Sequence, residues 1–162
     1  MIEEQQKILK FMTEMKARTD MNEFAQRVGL PTSQIVQDMQ DLAKQGYLKR
    51  VGNGFAVTEK GRNSLKSTRL LPENSSFQFY LGVGQPTILL ARSVKEFRDK
   101  LLVVNSVSLE FHLYRGDFEN WFRTAVEDAA FASYLAGIRE KNLTGEELRK
   151  VLVQAVDDKF TF

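Results

Sequence analysis

The residues best suited to acid–base chemistry lie between Glu110 and Trp121. His112, the single histidine of the chain, is followed closely by Arg115 and Asp117. A histidine oriented by a carboxylate can act as a general base, and a neighbouring arginine can bind an anion. On one helix Glu110 and His112 point about 200° apart, whereas His112 and Arg115 share a face. A structural alternative stays open, in which Asp117 caps a helix, Arg115 forms an ion pair and His112 bonds to a backbone carbonyl.

Other catalytic patterns are absent from the sequence. Without cysteine the chain has no disulfide, no thiolate zinc site and no thiol nucleophile, and one histidine cannot build a histidine-rich metal site. The pair Gly82 and Gly84 lacks the third glycine and the Lys-Ser/Thr of nucleotide-binding loops. We therefore predict no metal, no cofactor and no enzymatic activity.

Aromatic residues are concentrated after residue 76. Such side chains can line a pocket for an effector, form an ordinary core, or make a dimer interface, and the sequence does not separate these alternatives. The candidate ligand- or partner-binding residues are Phe77, Phe79, His112, Arg115, Asp117 and Trp121.

Three helices are predicted at the start of the chain. Apolar residues spaced by three and four predict a helix over 3–17. Asn22 is the expected N-cap of a second helix, which ends before the turn at Gly29. A third helix is expected from about Pro31 to the C-terminal cap at Gly46.

A short hairpin follows these helices. Two strands, over 47–51 and 55–57, flank a glycine-containing turn, and Thr58 caps a further helix. Helix, turn, helix and hairpin in this order predict a winged helix-turn-helix domain over residues 1–68.

The remaining chain is predicted to be a separate domain. Residues 69–76 have the composition of a linker, and residues 77–162 are predicted to be mainly helical. One strand is expected over 77–81, with no identifiable partner strand. The predicted fold class is mainly α with a small β-hairpin wing, that is, α+β.

In a winged helix the third helix enters the DNA major groove and the wing contacts the phosphate backbone. The expected base contacts are the outward residues Thr32, Ser33, Gln34, Gln37 and Gln40. The expected backbone contacts are Lys49, Arg50, Asn53, Lys60 and Arg62.

The distribution of charge gives this hypothesis limited support. Residues 1–70 carry 12 Lys and Arg against 8 Asp and Glu, whereas residues 71–162 carry 11 against 13. The third helix has no arginine, and Asp38 and Asp41 bring negative charge to its middle. Because phosphate neutralisation supplies much of the affinity for DNA, we expect a homodimer, which doubles the contacts. The alternative is an adaptor whose winged helix binds a protein partner.

Two resemblances agree with this division. Residues 4–66 resemble winged-helix regulators of the MarR and PadR groups, through Gly29-Leu30, LAKQGYL at 42–48 and VTEKGR at 57–62. The stretch from 77 to about 158 resembles a domain of unknown function found in archaeal and bacterial proteins. That likeness depends on FQFYLGVGQPT and SLEFHLYRGDFENW, and it implies no activity.

Composition completes the prediction. Hydrophobic residues make up 43% and charged residues 27% of the chain, the usual balance of a soluble globular protein. No apolar run reaches membrane-spanning length, and the N-terminal MIEEQQK is polar and acidic, unlike a secretory signal. The sequence predicts a cytoplasmic transcriptional regulator that binds double-stranded DNA and no membrane.

Overall fold

Amphipathic helices make up most of the chain, and they are divided between two compact units, Met1–Leu65 and Lys66–Phe162. The computed structural model describes residues 1–15, 20–160 and 162. Each unit contains one antiparallel two-stranded hairpin. The predicted mainly helical class with small β-hairpins is therefore confirmed. Within the described residues, no helix is both long enough and apolar enough to cross a bilayer.

The first unit contains the elements up to the fourth helix, whose last residues belong to the second unit. Their bounds are α1 (Glu3–Glu14), α2 (Met21–Val28), α3 (Thr32–Lys44), β1 (Leu48–Val51), β2 (Gly54–Val57) and α4 (Glu59–Thr68). The predicted end of the first helix, at residues 16 and 17, lies outside the described residues.

The two ends of α2 are fixed by a capping carboxylate at the start and by backbone conformation at the turn towards α3. Asp20 Oδ1 accepts the Glu23 amide at 2.9 Å, so the N-cap is Asp20, and the prediction of Asn22 was wrong by two residues. Gly29 has a φ of 77°, the left-handed conformation that ends helices at low cost in glycine.

The core of the first unit is mostly aliphatic. Its buried residues are Ile8, Leu9, Phe24, Ala25, Ile35, Met39, Leu42, Tyr47 and Leu48. At its edge α4 closely approaches the backbone just before β1, since a Cβ added at Gly61 would lie 2.4 Å from the carbonyl oxygen of Tyr47. Only glycine fits at this crossing.

The second unit begins with a 3-10 turn at Glu73–Ser75. The elements that follow are β3 (Phe77–Gly82), β4 (Gln85–Ala91), α5 (Val94–Val103), α6 (Ser106–Arg115), α7 (Asp117–Thr124), α8 (Ala129–Arg139) and α9 (Gly145–Lys159). Two of these helices have N-caps of the residue types that helix starts favour: Ser93 Oγ accepts the Glu96 amide at 3.1 Å, and Asp128 Oδ1 accepts the Phe131 amide at 3.0 Å.

The partner of β3, which the sequence did not reveal, is β4, the next strand. The two pair antiparallel from Phe77 opposite Ala91, and their register shifts between Gln78 and Tyr80. The resulting bulge in β4 projects Ile88 outward, with 96% of its surface exposed. Burial alternates along β4 from Pro86 to Ala91, but the exposed positions Ile88 and Leu90 are apolar as well. The sequence of β4 therefore lacks the alternation of polar and apolar residues that identifies strands.

The segment predicted to be a linker, residues 69–76, is a packed part of the second unit. Leu71 is buried, and its amide donates to the carbonyl oxygen of Arg92 at 2.6 Å. In return, the Arg92 guanidinium donates to the carbonyl oxygen of Leu71 at 2.9 and 3.0 Å. Since Leu71 enters the aromatic core, this segment does not behave as a solvated connector.

Candidate nucleic-acid interface and ligand cleft

The outward face of α3 contains the residues predicted to contact bases. Ser33, Gln34, Gln37 and Gln40 are exposed and Thr32 is half-buried, while Ile35, Met39 and Leu42 face the core. The helix therefore presents a polar surface several turns long, formed by short hydroxyls and amides.

Two glutamines of this face are bonded to carboxylates of their own helix. Gln34 Nε2 donates to Asp38 Oδ2 at 2.9 Å, and Gln37 Nε2 donates to Asp41 Oδ1 at 3.2 Å. A glutamine that recognises adenine must donate through this nitrogen and accept through its oxygen. Gln34 and Gln37 would therefore exchange an internal hydrogen bond for a base contact, at a cost in affinity.

The two aspartates differ in exposure. Asp38 is only 3% exposed and accepts its hydrogen bond from Gln34, so its charge is withdrawn from the surface. Asp41 is half-buried and lies 3.8 Å from Lys44 Nζ. The negative charge noted in the sequence is thus largely masked on the outward face of α3.

The hairpin of β1 and β2 presents exposed cations beside this helix. Lys49, Arg50 and Asn53 are all exposed. Lys49 and Arg50 are consecutive on β1 and so point to opposite faces of the hairpin. The Arg50 guanidinium lies 5.4 Å from the centroid of the Phe55 ring, which supports it on one side.

Lys60 and Arg62, the other two predicted phosphate contacts, are exposed but bonded within the unit. Lys60 Nζ donates to the carbonyl oxygen of Gln45 at 2.6 Å and lies 4.6 Å from the centroid of the Tyr47 ring. Arg62 Nη1 donates to the carbonyl oxygen of Val57 at 3.0 Å. The sequence suggested that both cations are free to contact phosphate. Instead, each one donates to a backbone carbonyl, at the residue after α3 or at the last residue of β2.

The second unit has a cleft of about 650 Å³. The structure brings five of the six predicted ligand-binding residues to its wall: Phe77, His112, Arg115, Asp117 and Trp121. The sixth, Phe79, is fully buried in the aromatic core and does not line the cleft.

His112 connects β3 to the start of α7. Its Nε2 accepts the amide hydrogen of Tyr80 at 2.8 Å, and its Nδ1 lies 2.8 Å from Asp117 Oδ2. Since Nε2 accepts, the proton is on Nδ1 and is donated to the carboxylate. The side chain is buried, and burial lowers the pKa of His112 despite the opposing effect of Asp117. The ring is neutral, and neither nitrogen is available as a base.

This geometry corrects two details of the structural alternative drawn from the sequence. His112 bonds to a backbone amide, and not to a carbonyl. Asp117 is the first residue of α7, whose N-cap is Gly116, so its carboxylate orients His112 without capping the helix.

Trp121 has a structural role at the edge of the cleft. Its indole nitrogen donates to the carbonyl oxygen of Ser75 at 2.7 Å, which holds the 3-10 turn against α7. Its ring stacks on Phe97 with centroids 5.2 Å apart. The hydrogen-bonding group of Trp121 is therefore already used, and only part of its surface is left for a ligand.

Arg115 differs from these residues. Its side chain is 52% exposed, its Nε lies 3.7 Å from Asp117 Oδ2, and its guanidinium lies 4.6 Å from the centroid of the Phe111 ring. Within the described part of the chain, the Arg115 guanidinium donates no hydrogen bond. It is positioned from two sides, and its donors remain available.

The main site residue outside the predicted set is Tyr80. Its backbone amide fixes His112, and its side chain lines the cleft. The turn at Gly82–Gly84 also borders the cleft. The pairing of β3 with β4 brings these residues to the cleft, and no strand was predicted at the position of β4.

Comparisons with models of protein families, with curated proteins and with solved structures found no match to this chain. Among the described residues, no group of three or more His, Asp or Glu side chains could hold a metal ion. The observations that bear on function are therefore the side-chain geometry and charge of α3, its neighbouring hairpin and the cleft.

Proposed function

We propose that the first unit is a winged helix that binds double-stranded DNA, and that the protein is a transcriptional regulator. The observation that carries this proposal is the exposed polar face of α3 beside a hairpin that exposes Lys49, Arg50 and Asn53. A helix-turn-helix followed by a wing presents this pair of surfaces to the major groove and the phosphate backbone.

The two surfaces have different tasks in this proposal. Lys49 and Arg50 supply the phosphate contacts, since Lys60 and Arg62 already bond to backbone carbonyls. The outward polar residues of α3 select the sequence. With so few free cations, one protomer binds weakly, and a homodimer on two half-sites about one helical turn apart supplies the remaining affinity. Such a regulator acts in the cytoplasm.

The test is fluorescence anisotropy with genomic DNA duplexes over a series of salt concentrations. We expect the double substitution Lys49→Ala, Arg50→Ala to weaken binding to all sequences and to reduce the salt slope by about 1 per lost phosphate contact. The matched control is Lys95→Ala, Lys150→Ala, which removes two exposed cations of the second unit and should leave binding unchanged.

The choice of DNA sequence is tested separately at Gln40, whose side chain has no hydrogen bond to a described residue. Gln40→Ala should reduce the difference in affinity between the preferred and a scrambled duplex, while nonspecific binding persists. If no duplex binds at low salt, or if the salt slope is near zero, the proposal is wrong.

A second candidate is favoured by the bonds that occupy Gln34, Gln37, Lys60 and Arg62. These bonds leave a surface with fewer free donors than DNA binding usually requires, and Val36 and Val51 are exposed beside it. In this alternative the first unit is an adaptor that binds a protein partner. A stoichiometric complex that contains one partner protein and no nucleic acid, and that Val36→Glu disrupts, would favour it over DNA binding.

We propose no catalytic role for His112. A general base needs a lone pair within reach of substrate, and the Nε2 lone pair already accepts the Tyr80 amide. The neighbouring carboxylate is likewise occupied by His112 Nδ1.

A further inference from the structure

The cleft of the second unit has the dimensions of a small-molecule site. Its volume of about 650 Å³ lies within the range of 300–1,000 Å³ typical of ligand pockets. Aromatic rings and uncharged polar side chains form most of its wall, including Phe111, Tyr80, Asn74 and Asn120. Such a mixture suits a ligand with an apolar body and a small number of polar atoms.

The charges in the wall are unequally available. Arg115 is the only lysine or arginine among the lining residues, all of which are described, and Asp117 is the only acidic one. Asp117 Oδ2 accepts from the neutral His112 ring through Nδ1 at 2.8 Å, so one oxygen of this carboxylate is already hydrogen-bonded inside the wall. The guanidinium of Arg115 has no hydrogen-bonded partner among the described residues. The cleft therefore offers unused hydrogen-bond donors on a positively charged group, and these suit a ligand with a negative group.

The guanidinium is also held in place before a ligand arrives. The Phe111 ring supports one face, with 4.6 Å from Cζ to the ring centroid, and Asp117 Oδ2 lies 3.7 Å from Nε. Asp117 is itself fixed by His112, which is fixed by the Tyr80 amide. Because the side chain is already restrained, less conformational entropy is lost when an anion binds.

Apolar surface lies close to this cation. Phe111 and Tyr80 are half-buried in the wall, and Val83 at the tip of the hairpin is 83% exposed. An exposed valine in the rim of a cleft is available to cover an apolar ligand.

We propose that this cleft binds a small organic monocarboxylate with an apolar or aromatic body, whose carboxylate pairs with Arg115. Arginine suits the planar carboxylate because its nitrogens can donate two parallel hydrogen bonds. A phosphate ester, with up to two negative charges, would leave charge unpaired opposite a single cation. Every residue in the proposal belongs to the second unit, so it does not depend on DNA binding by the first.

The experiment is isothermal titration calorimetry on the full chain. The probes are benzoate, phenylacetate and indole-3-acetate, each compared with its neutral amide, which has nearly the same shape. We expect at least one acid to bind and its amide to bind about tenfold more weakly or not at all, as loss of a charge-assisted hydrogen bond implies. Phenyl phosphate serves as the phosphate-ester probe and should not bind more tightly than the acids.

Two substitutions test the assigned contacts. Arg115→Met keeps an apolar stem of similar length and should weaken the acid about tenfold, whereas Arg123→Met, an exposed arginine of α7 outside the cleft wall, should not. Val83→Asp places a negative charge at an exposed position of the rim, where folding is not at risk, and should also weaken binding. Circular dichroism confirms that each variant is folded.

Three results would overturn the proposal. The first is that none of the three acids binds. The second is that acid and amide bind equally, and the third is that Arg115→Met binds the acid as tightly as the unsubstituted chain. Tighter binding of phenyl phosphate would replace the carboxylate with a phosphate group as the ligand chemistry.

Discussion

Lys60 and Arg62 in the first unit and Arg115 in the second use their charged groups in opposite ways. Lys60 and Arg62 are exposed, but their side chains donate to backbone carbonyls at 2.6 and 3.0 Å. The Arg115 side chain is about half exposed, yet its guanidinium donates no hydrogen bond within the described residues. An exposed cation is therefore not always available to a ligand. Arg62 stabilises the fold of the first unit, whereas the donors of Arg115 remain free at the cleft of the second.

The cores of the two units differ in kind. The second unit is built around a cluster of contacting rings that includes Phe77, Phe97, Phe118 and Trp121. Charged side chains add to this apolar burial, since the Arg98 guanidinium of α5 pairs with the Asp157 carboxylate of α9 at 2.9 Å. The first unit has a smaller aliphatic core, and polar side chains also fasten its hairpin to α3 and α4.

The largest expected effect is at the closest backbone approach of the first unit. Gly61→Ala would place a Cβ 2.4 Å from the Tyr47 carbonyl oxygen and 2.8 Å from Val57 Cγ1. We expect the free energy of unfolding to fall by about 1–3 kcal/mol, although alanine favours helices intrinsically. Urea denaturation followed by circular dichroism measures the change.

The matched control is Gly137→Ala in α8, where an added Cβ has no atom within 4 Å. Helix propensity alone acts at this position, so we expect a gain of about 0.5–1 kcal/mol. If Gly61→Ala and Gly137→Ala changed the free energy of unfolding in the same direction, the close approach of α4 to the Tyr47 carbonyl would not be a feature of the folded protein.

A second prediction concerns the polar connection in the second unit. The lowered pKa of His112 means that the folded chain binds fewer protons than the unfolded chain just below pH 6.5, the usual pKa of histidine. Stability from the neutral ring is therefore present above about pH 6.5 and is lost as the pH falls. We expect the free energy of unfolding to decrease by at most about 1.4 kcal/mol per pH unit.

His112→Gln is the control for this prediction. His112 is the single histidine of the chain, so no other side chain has its ordinary pKa between about pH 5.5 and 7.5. The variant should be less stable at pH 7.5 and should lose the slope over this range. If the free energy of unfolding of this variant depended on pH as in the unsubstituted chain, the neutral His112 ring would not be the cause of the pH dependence.

The smallest effect is expected at Lys60. Lys60→Met removes the hydrogen bond to the Gln45 carbonyl oxygen but keeps an apolar chain near the Tyr47 ring. We expect a loss of about 0.5–1 kcal/mol in stability and no change in the proposed binding to DNA. Lys49→Met should leave the stability unchanged and should weaken the proposed binding. Equal losses of DNA affinity for both variants would remove the distinction between occupied and available cations in the first unit.

Local rules predicted much of the helical structure. Gly29 lies at the helix end where the sequence predicted the turn, because its effect depends on its own backbone conformation. Strand β4 could not be predicted in this way, because its exposed positions Ile88 and Leu90 are as apolar as its inward ones. Leu71 was assigned to a linker because its partner Arg92 is 21 residues away.

The cleft could be predicted only in part. The spacing of His112, Arg115 and Asp117 correctly suggested that they lie together, because they are close in sequence. The role of His112 depended on the Tyr80 amide, 32 residues away, and a buried ring with both nitrogens occupied cannot be told from a catalytic one by spacing. For α3, the sequence identified the exposed residues but not the internal bonds of Gln34 and Gln37.

The bulge of β4 has a consequence for self-association. No charged residue occurs between Phe77 and Ala91, and an uncharged strand at the edge of a sheet can template the addition of strands from other molecules. The Thr87 hydroxyl donates to the Phe79 carbonyl oxygen at 2.8 Å, and the Gln78 side-chain nitrogen Nε2 donates to the Thr87 carbonyl oxygen at 2.7 Å. These bonds occupy one backbone carbonyl of each strand beside the register shift, so both carbonyls are already paired with side chains. A strand edge with such a bulge is a poorer template for further strands than a regular one.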